Sequence, residues 1–529
     1  MKVFTRLSVR QVDTGKTYWL GKQVEAIVEA GLRPMLCSLT RTAATELRGR
    51  VTAIPEEWIG TLHSHAYRAI GCPPMVDIAI FNVENPAFAI NEDFSDDDYK
   101  GPYRAAGNGT ALYQKYGMLR ARCVPRSDWK SDVTAFAAAW EGFKAQTNSI
   151  DFHDMIDLAC EVMRPACGPD VIIADEVQDF SAAEMKLLRH WTRFCDALIV
   201  AGDSWQCLYK WRGTDPENMS AKNLPADHQY ILRQSYRVPR AVHKAATEWV
   251  KRLSTWEDIQ YQPRDEEGFA EKIDLSLLEP DRIVDIAEGH VEDGKSVMIA
   301  ASCGYMLKPL LRELRSRAVP FHNPWRTARS DWNPLGGGGT TMMERVRCLC
   351  RAIEEDRLWP PAEIWAWGEP MRAKGVFWRG GKKKLKEMAE LETPADSVYA
   401  INTFEPAAGG IIDTFLTNQD TEAALKWWEE NLLDTRKPAA EYPLAVVRKH
   451  GTGQIKPQIS VGTIHSYKGA EADVVILFPD LSSAGEKEWD YGDKDSVVRL
   501  FYVGMTRARE GLIVGKPTSA AAPIRQYLE

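Results

Sequence analysis

Apolar residues recur along this chain in two rhythms. Short unbroken apolar runs alternate with stretches in which apolar positions return every three or four residues. Met35-Leu36-Cys37-Ser38-Leu39, introduced by Gly31 and Pro34, predicts a buried strand. Ala43, Ala44, Leu47 and Val51 follow at helical spacing. Val171-Ile172-Ile173-Ala174, announced by Gly168-Pro169, predicts a second strand, and Ala197-Leu198-Ile199-Val200-Ala201 a third. A strand that is apolar on both sides must be covered on both faces. Such strands alternating with helices predict an α/β fold with parallel sheets.

The rhythm breaks twice. Between about 73 and 166, acidic and glycine-containing loops (Asp96-Asp97-Asp98, Gly107-Asn108-Gly109) precede helical patterning over Ala135–Phe143. A second α/β region begins near Arg237, with Val297-Met298-Ile299-Ala300 as a strand. The second break, about 316 to 442, holds Gly336–Gly339, the Lys382-Lys383-Lys384 cluster and many tryptophans. Strand signals return at Ile459-Ser460-Val461, Val474–Phe478 and Gly511–Val514. The expected division is a first core over 1–72 and 167–236, a helical insertion over 73–166, a second core over 237–315 and 443–529, and a second insertion over 316–442. No short-period repeat is apparent.

Composition narrows the function class. At 529 residues the chain is long enough for about three or four domains. It is 44% hydrophobic and 26% charged, as a globular protein with several cores requires. No run of about 18 apolar residues predicts a membrane span, and the first residues lack the apolar stretch of a secretion signal. A cytoplasmic protein with no membrane partner is expected. The ten cysteines are scattered without zinc-binding spacing, which predicts reduced thiols. A net charge of −8 argues against a histone-like or coat protein, yet leaves room for a locally basic groove.

Two motifs carry chemistry. Gly15-Lys16-Thr17 opens an apolar helix through Trp19, Leu20 and Val24, after a weak strand at Val3-Phe4. A helix N-terminus offers free N–H groups to phosphate, Lys16 would neutralise the terminal phosphates, and the Thr17 hydroxyl would hold Mg²⁺. The full phosphate-loop pattern asks for glycine where Arg10 stands, and Asp13 brings negative charge towards the phosphates. Asp175-Glu176-Val177-Gln178-Asp179 directly follows a buried strand. That strand would deliver Asp175 to the Mg²⁺ and Glu176 to the attacking water. An acidic turn in solvent is the plain alternative, and the strand-terminal context argues against it.

These motifs resemble, in order, those of superfamily 1A helicases of the UvrD/Rep/PcrA kind. Ser38–Ala44 resembles motif Ia and Gly60-Thr61-Leu62-His63-Ser64 motif Ib. Asp175–Asp179 is similar to motif II, and Gly202–Gln206 running on to Tyr209–Gly213 to motif III. Gln234–Arg237 is similar to motif IV, Val461–Glu471 to motif V and Leu500–Arg509 to motif VI. The resemblance covers about two-thirds of the chain. It implies two RecA-like parallel-sheet motor domains, each interrupted by a mostly helical insertion, with ATP and Mg²⁺ as cofactors.

It also implies roles. Gly15, Lys16 and Thr17 would bind nucleotide, Tyr236 would stack on adenine and Glu471 would meet the ribose. Gln206 would sense the γ-phosphate. Arg237 and Arg507 would act as arginine fingers. Thr40, Arg41, Thr61, His63 and His465 would line a DNA backbone track, with Tyr209 and Trp211 either stacking on bases or packing in a core. The lysines of 382–386 either touch duplex phosphates or form a solvated face. The implied activity is 3′→5′ translocation on single-stranded DNA with duplex unwinding, acting at single-strand/duplex junctions with a loading or repair partner.

Three departures stand beside this. The phosphate loop lacks its usual glycines, no glutamine segment for adenine precedes Gly15, and no nuclease segment follows motif VI. The codons of Val9-Arg10-Gln11-Val12 can encode Gly-Pro-Ala-Gly in the neighbouring frame. The alternative is an ATPase-impaired relative that binds single-stranded DNA or a partner protein without turnover.

Overall fold

The computed structural model describes residues 15–39, 41–91, 108–219, 229–323, 331–336, 341–355, 359–391, 400–451 and 455–518. The strand expected at Val3-Phe4, the loop residues Arg10, Val12 and Asp13, Thr40, Asp96–Asp98, Gly107 and Gly337–Gly339 lie outside them. So do the side chains of Thr17, Arg41, Ala43 and Trp211.

The apolar runs form two parallel sheets. The first has the order β2-β1-β3-β4, from β1 (Pro34–Ser38), β2 (Ile59–Thr61), β3 (Val171–Ala174) and β4 (Ala197–Val200). Alternate residues face opposite ways, so each strand feeds two cores. Met35, Cys37, Ile172, Ala174, Leu198 and Val200 pack on one face, and Leu36, Val171, Ile173 and Ile199 on the other. The second sheet has the order β5-β10-β9-β6-β8-β7, from β5 (Phe269–Lys272), β6 (Val297–Ala301), β7 (Phe321–His322), β8 (Ile459–Thr463), β9 (Ala472–Leu477) and β10 (Ala508–Val514). It too is parallel and doubly covered: Val297, Ile299 and Ala301 serve one core, Met298 and Ala300 the other. The α/β expectation with two RecA-like sheets is met.

The insertions differ in how they attach. In the first, Phe81, Tyr116, Phe136, Trp140 and Phe143 make a separate aromatic core. The helix Phe152–Ala159, although it lies within the expected insertion, sends Met155, Ile156 and Ala159 into the core of the first sheet. A buried ionic knot ties the two: Lys144 donates to Asp151 at 2.6 Å and also pairs with Asp154, and Trp140 Nε1 donates to Asp151 at 2.7 Å. Among the described residues the second insertion has no separate core. Met343, Val346, Trp367 and Trp428 continue the core built on Ile299 and Val461.

Among the described residues every cysteine is free, and no helix is long and apolar enough to cross a membrane.

Candidate nucleotide site and nucleic-acid track

The C-terminal ends of β1, β3 and β4 place Ser38, Asp175 and Asp203 along one edge of the first sheet, the side where open α/β sheets bind ligands. The helix Lys16–Glu29 begins there. Its N-cap, Gly15, takes the left-handed conformation (φ +73°) and no side-chain cap is present among the described residues, a helix start of the kind that suits an anion. Ser38 Oγ is buried at the same edge with no hydrogen-bond partner among the described residues.

Glu176 also sits in the left-handed region, at φ +57°. Such backbone is uncommon for a residue with a side chain, and costs on the order of 1–3 kcal/mol where the surroundings enforce it. Here it turns the carboxylate towards the helix start, where Lys16 Nζ meets Glu176 Oε1 at 2.6 Å. Burial opposes charge on both groups. Mutual attraction wins: Lys16 is held above its ordinary value by Glu176 and Asp175, and Glu176 is drawn down to about 2 by Lys16 and Lys468.

From this pair a hydrogen-bonded chain crosses to the second sheet. Gln178, fully buried, donates Nε2 to Glu176 Oε2 at 2.6 Å and accepts the Asp203 amide at 2.9 Å. Asp203 Oδ2 accepts Gln206 Nε2 at 2.6 Å, and Gln206 Oε1 accepts Arg507 Nη2 at 3.0 Å. Arg507, itself buried, is oriented by the carbonyls of Val503 and Ala470 at 2.9 and 3.3 Å. Lys468 makes a second crossing. It donates to the Gln206 carbonyl at 2.8 Å, pairs with Asp179 and lies 4.0 Å from Glu176. Burial pushes Asp179 up to about 6 despite that lysine.

Arg237 is placed differently. Its Nε donates to Glu471 at 2.8 Å, within the second core, rather than to the carboxylates of the first. Tyr236 beside it is 67% exposed, and its ring lies over Gly15: a methyl built on that glycine would be 3.5 Å from the ring. The two expected nucleotide-contacting walls therefore face each other at Gly15–Tyr236 and at Gln206–Arg507.

Each core also presents the same turn. Gly60-Thr61-Leu62-His63-Ser64 ends β2 and Gly462-Thr463-Ile464-His465-Ser466 ends β8. Ser64 donates its amide to Thr61 Oγ1 at 3.1 Å and its hydroxyl to the Thr61 carbonyl at 2.8 Å; Ser466 does the same to Thr463 at 3.3 and 2.8 Å. The glycine is required in both, because a methyl there would collide with the serine hydroxyl. Both histidines are held neutral at pH 7. Burial lowers His63 even though Glu184 is 3.5 Å away, and burial with the nearby Lys468 brings His465 down to about 4. Tyr209 is half-buried, its ring 6.3 Å from His465 and 5.3 Å from the Lys468 ammonium.

Residues 13–212 match the family described as AAA domain, and residues 458–514 match the UvrD-like helicase C-terminal domain. The chain is similar to ATP-dependent DNA helicase PcrA of Leuconostoc citreum, 26% identical over 267 residues, covering 44% of this chain and 35% of the relative. It is similar to PcrA of Bacillus subtilis (strain 168), 28% identical over 162 residues, covering 28% and 21%. A probable DNA helicase of Mycoplasma pneumoniae is 23% identical over 274 residues, covering 44% and 51%. Together these matches support a UvrD/PcrA-like superfamily 1A helicase. Its matches span between 21% and 51% of these relatives' own lengths.

A superfamily 1A site must accept a nucleotide triphosphate with Mg²⁺, and the residues present suit that. The helix start, Lys16 and the Ser38 hydroxyl, which has no partner among the described residues, suit phosphate oxygens; Asp175 would hold the cation, which supplies charge neutralisation. Among the described residues no group of three or more His, Cys, Asp or Glu side chains is placed to hold a metal ion.

Sequence reasoning overlooked two residues here. Gln178 lay inside a quoted motif, but only the fold shows it joining Glu176 to Asp203. Phe152 is 54% exposed, with its ring 5.9 Å from His63, a placement signalled in sequence only by an aromatic directly after the helix cap Asp151. The lysine cluster is mostly a solvated face: Lys383 and Lys386 pair along their own helix with Glu387 and Glu390 at 3.7 Å.

Proposed function

We propose that the chain is an ATP-driven 3′→5′ DNA translocase and helicase, whose two cores close on a nucleotide between Lys16 and Arg507. The continuous chain Lys16–Glu176–Gln178–Asp203–Gln206–Arg507 carries this reading, because it joins the phosphate end of one core to a buried arginine of the other.

On nucleotide binding, Lys16 leaves Glu176 for the phosphates. Glu176, still held by Gln178, is then free to orient and deprotonate the attacking water. Gln206 and Arg507 turn from each other to the γ-phosphate, where Arg507 stabilises the charge of the transition state. When the phosphate departs they pair again, and the cores reset. The paired turns at His63 and His465 are the grips, one per core, on the backbone of single-stranded DNA. Thr61 extends the first, while Tyr209 and Phe152 supply stacking faces that tolerate any base. Polarity rests on the likeness of Lys468–Glu471 and Asp175–Asp179 to the 3′→5′ branch.

A second reading is favoured by one observation, the Arg10-Gln11-Val12-Asp13 segment where phosphate loops carry glycine. On that reading the chain binds single-stranded DNA without turnover. DNA-stimulated ATP hydrolysis against a Lys16→Ala control, with strand displacement on 3′- and 5′-tailed duplexes, tests both. Hydrolysis above the control with displacement from 3′ tails supports the motor. Equal rates support the binding module.

A further inference from the structure

Glu471 stands between two guanidinium groups. Its Oε2 accepts Arg237 Nε at 2.8 Å and its Oε1 accepts Arg509 Nη1 at 3.3 Å. Arg509 also reaches towards Asp473, with its Nε 3.8 Å from Oδ1, while Asp473 is itself fixed by the amide and hydroxyl of Ser296 at 2.9 and 2.7 Å. Arg509 owes this position to an irregularity in the sheet. β10 pairs with β9 in register at Ala508–Ala472 and again from Gly511–Val474, with a register shift between them that falls on Arg509 and Glu510. A bulge of this kind re-aims a side chain, and bulges gather beside active sites.

The pairing poses a problem for the nucleotide reading above, on which this inference rests. An arginine whose Nε is engaged with a carboxylate at 2.8 Å has its guanidinium turned towards that carboxylate and cannot swing freely towards phosphate, and the carboxylate that holds it is the group expected to meet the sugar. We propose that Arg509 is a positioning residue for Arg237. Holding one oxygen of Glu471, it keeps that carboxylate in place while the other oxygen passes from Arg237 to a sugar hydroxyl, and Arg237 is thereby freed for the phosphates. Sugar recognition and deployment of Arg237 become one event. Without Arg509, Glu471 has Arg237 as its main cationic neighbour and retains it.

The test is steady-state ATP hydrolysis by the full chain with saturating single-stranded DNA, comparing Arg509→Ala, Arg509→Lys, Glu471→Gln and the double variant Glu471→Gln/Arg509→Ala. Arg509→Ala is expected to lower kcat about tenfold while moving KM less than about threefold, since the loss falls on a transition-state contact. Arg509→Lys keeps the charge and restores most of the rate. In the Glu471→Gln background, where no carboxylate holds Arg237, adding Arg509→Ala changes kcat less than about twofold. A wild-type kcat for Arg509→Ala, or the same drop in both backgrounds, overturns the proposal. If wild type hydrolyses no faster than Lys16→Ala, the motor reading fails on its own account. Calorimetric titration with ATP then decides Arg509: weaker binding in Arg509→Ala that disappears in the Glu471→Gln background supports it, and unchanged binding overturns it.

Discussion

Replacing Gln178 with leucine should both destabilise the first core and slow hydrolysis. The substitution keeps the volume, so little cavity is made. It removes two hydrogen bonds from a fully buried site. The Asp203 amide, now 2.9 Å from Gln178 Oε1, would be left without an acceptor at a position only 1% exposed, which costs roughly 1–3 kcal/mol. Glu176 would lose a charge-assisted bond of 2.6 Å, worth roughly 1.5–3 kcal/mol in full. Its side chain is 24% exposed, so water replaces part of that. Together these predict a loss of about 2–4 kcal/mol, read from urea denaturation at constant m-value. Glu176 would also be free to rotate, and kcat should fall by about 10–100-fold with KM for ATP nearly unchanged. Stability within about 0.5 kcal/mol of wild type, with kcat within about twofold, would refute the idea that this carboxamide holds the carboxylate in place.

Three other outcomes are expected. Glu176 titrates at about 2 when folded, below the ordinary unfolded value near 4.3, so its contribution is complete above that value and is lost as the pH falls towards 2; the stability gap between wild type and Glu176→Gln should shrink over this window in urea titrations at stepped pH. Phe152→Ala should weaken binding of a fluorescent single-stranded oligonucleotide by about 1–3 kcal/mol without changing DNA-free ATP hydrolysis, the range for one stacked base. Gly60→Ala and Gly462→Ala should each lower stability by about 1–3 kcal/mol, because the added methyl meets Ser64 Oγ in one core and Ser466 Oγ and Asn323 Nδ2 in the other; equal urea midpoints for variant and parent would count against two matched turns.

Much of the fold is legible in the chain because the central strands are apolar at every position. Val171–Ala174, Val297–Ala301 and Ala197–Val200 emerge where the runs predict. β2, β5 and β7 do not announce themselves. Two have three or two residues, and β5 is the edge strand Phe-Ala-Glu-Lys, whose exposed Glu271 and half-buried Lys272 break the apolar run. The first insertion is visible as a loss of rhythm, but the packing of Phe152–Ala159 against the first sheet is not, since Met155, Ile156 and Ala159 suit either core equally. Similarly, tryptophans at 367 and 428 could have built a separate domain, and only tertiary contacts show them extending the core of the second sheet.

The site shows the same division. Lys16, Asp175, Glu176, Gln206 and Arg507 could be named from motifs, because strand ends and a helix start fix where such residues go. The partners that set their state could not. Glu176 is neutralised by Lys16, Arg237 is held by Glu471, and Lys468 joins Asp179 to the Gln206 carbonyl, all across more than 150 residues of chain. Periodicity carries no information about contacts of that range. The matching turns at Thr61 and Thr463 were readable in principle, as Gly-Thr-x-His-Ser occurs twice.

The rate of DNA-stimulated ATP hydrolysis by Arg507→Ala is the most direct test of the account. An arginine that acts across the cleft is worth about 10³-fold or more in kcat, so the variant should fall at least that far while still binding single-stranded DNA. A variant that hydrolyses ATP at the wild-type rate would mean that Arg507 only braces Gln206, and that the two cores do not share a catalytic cleft.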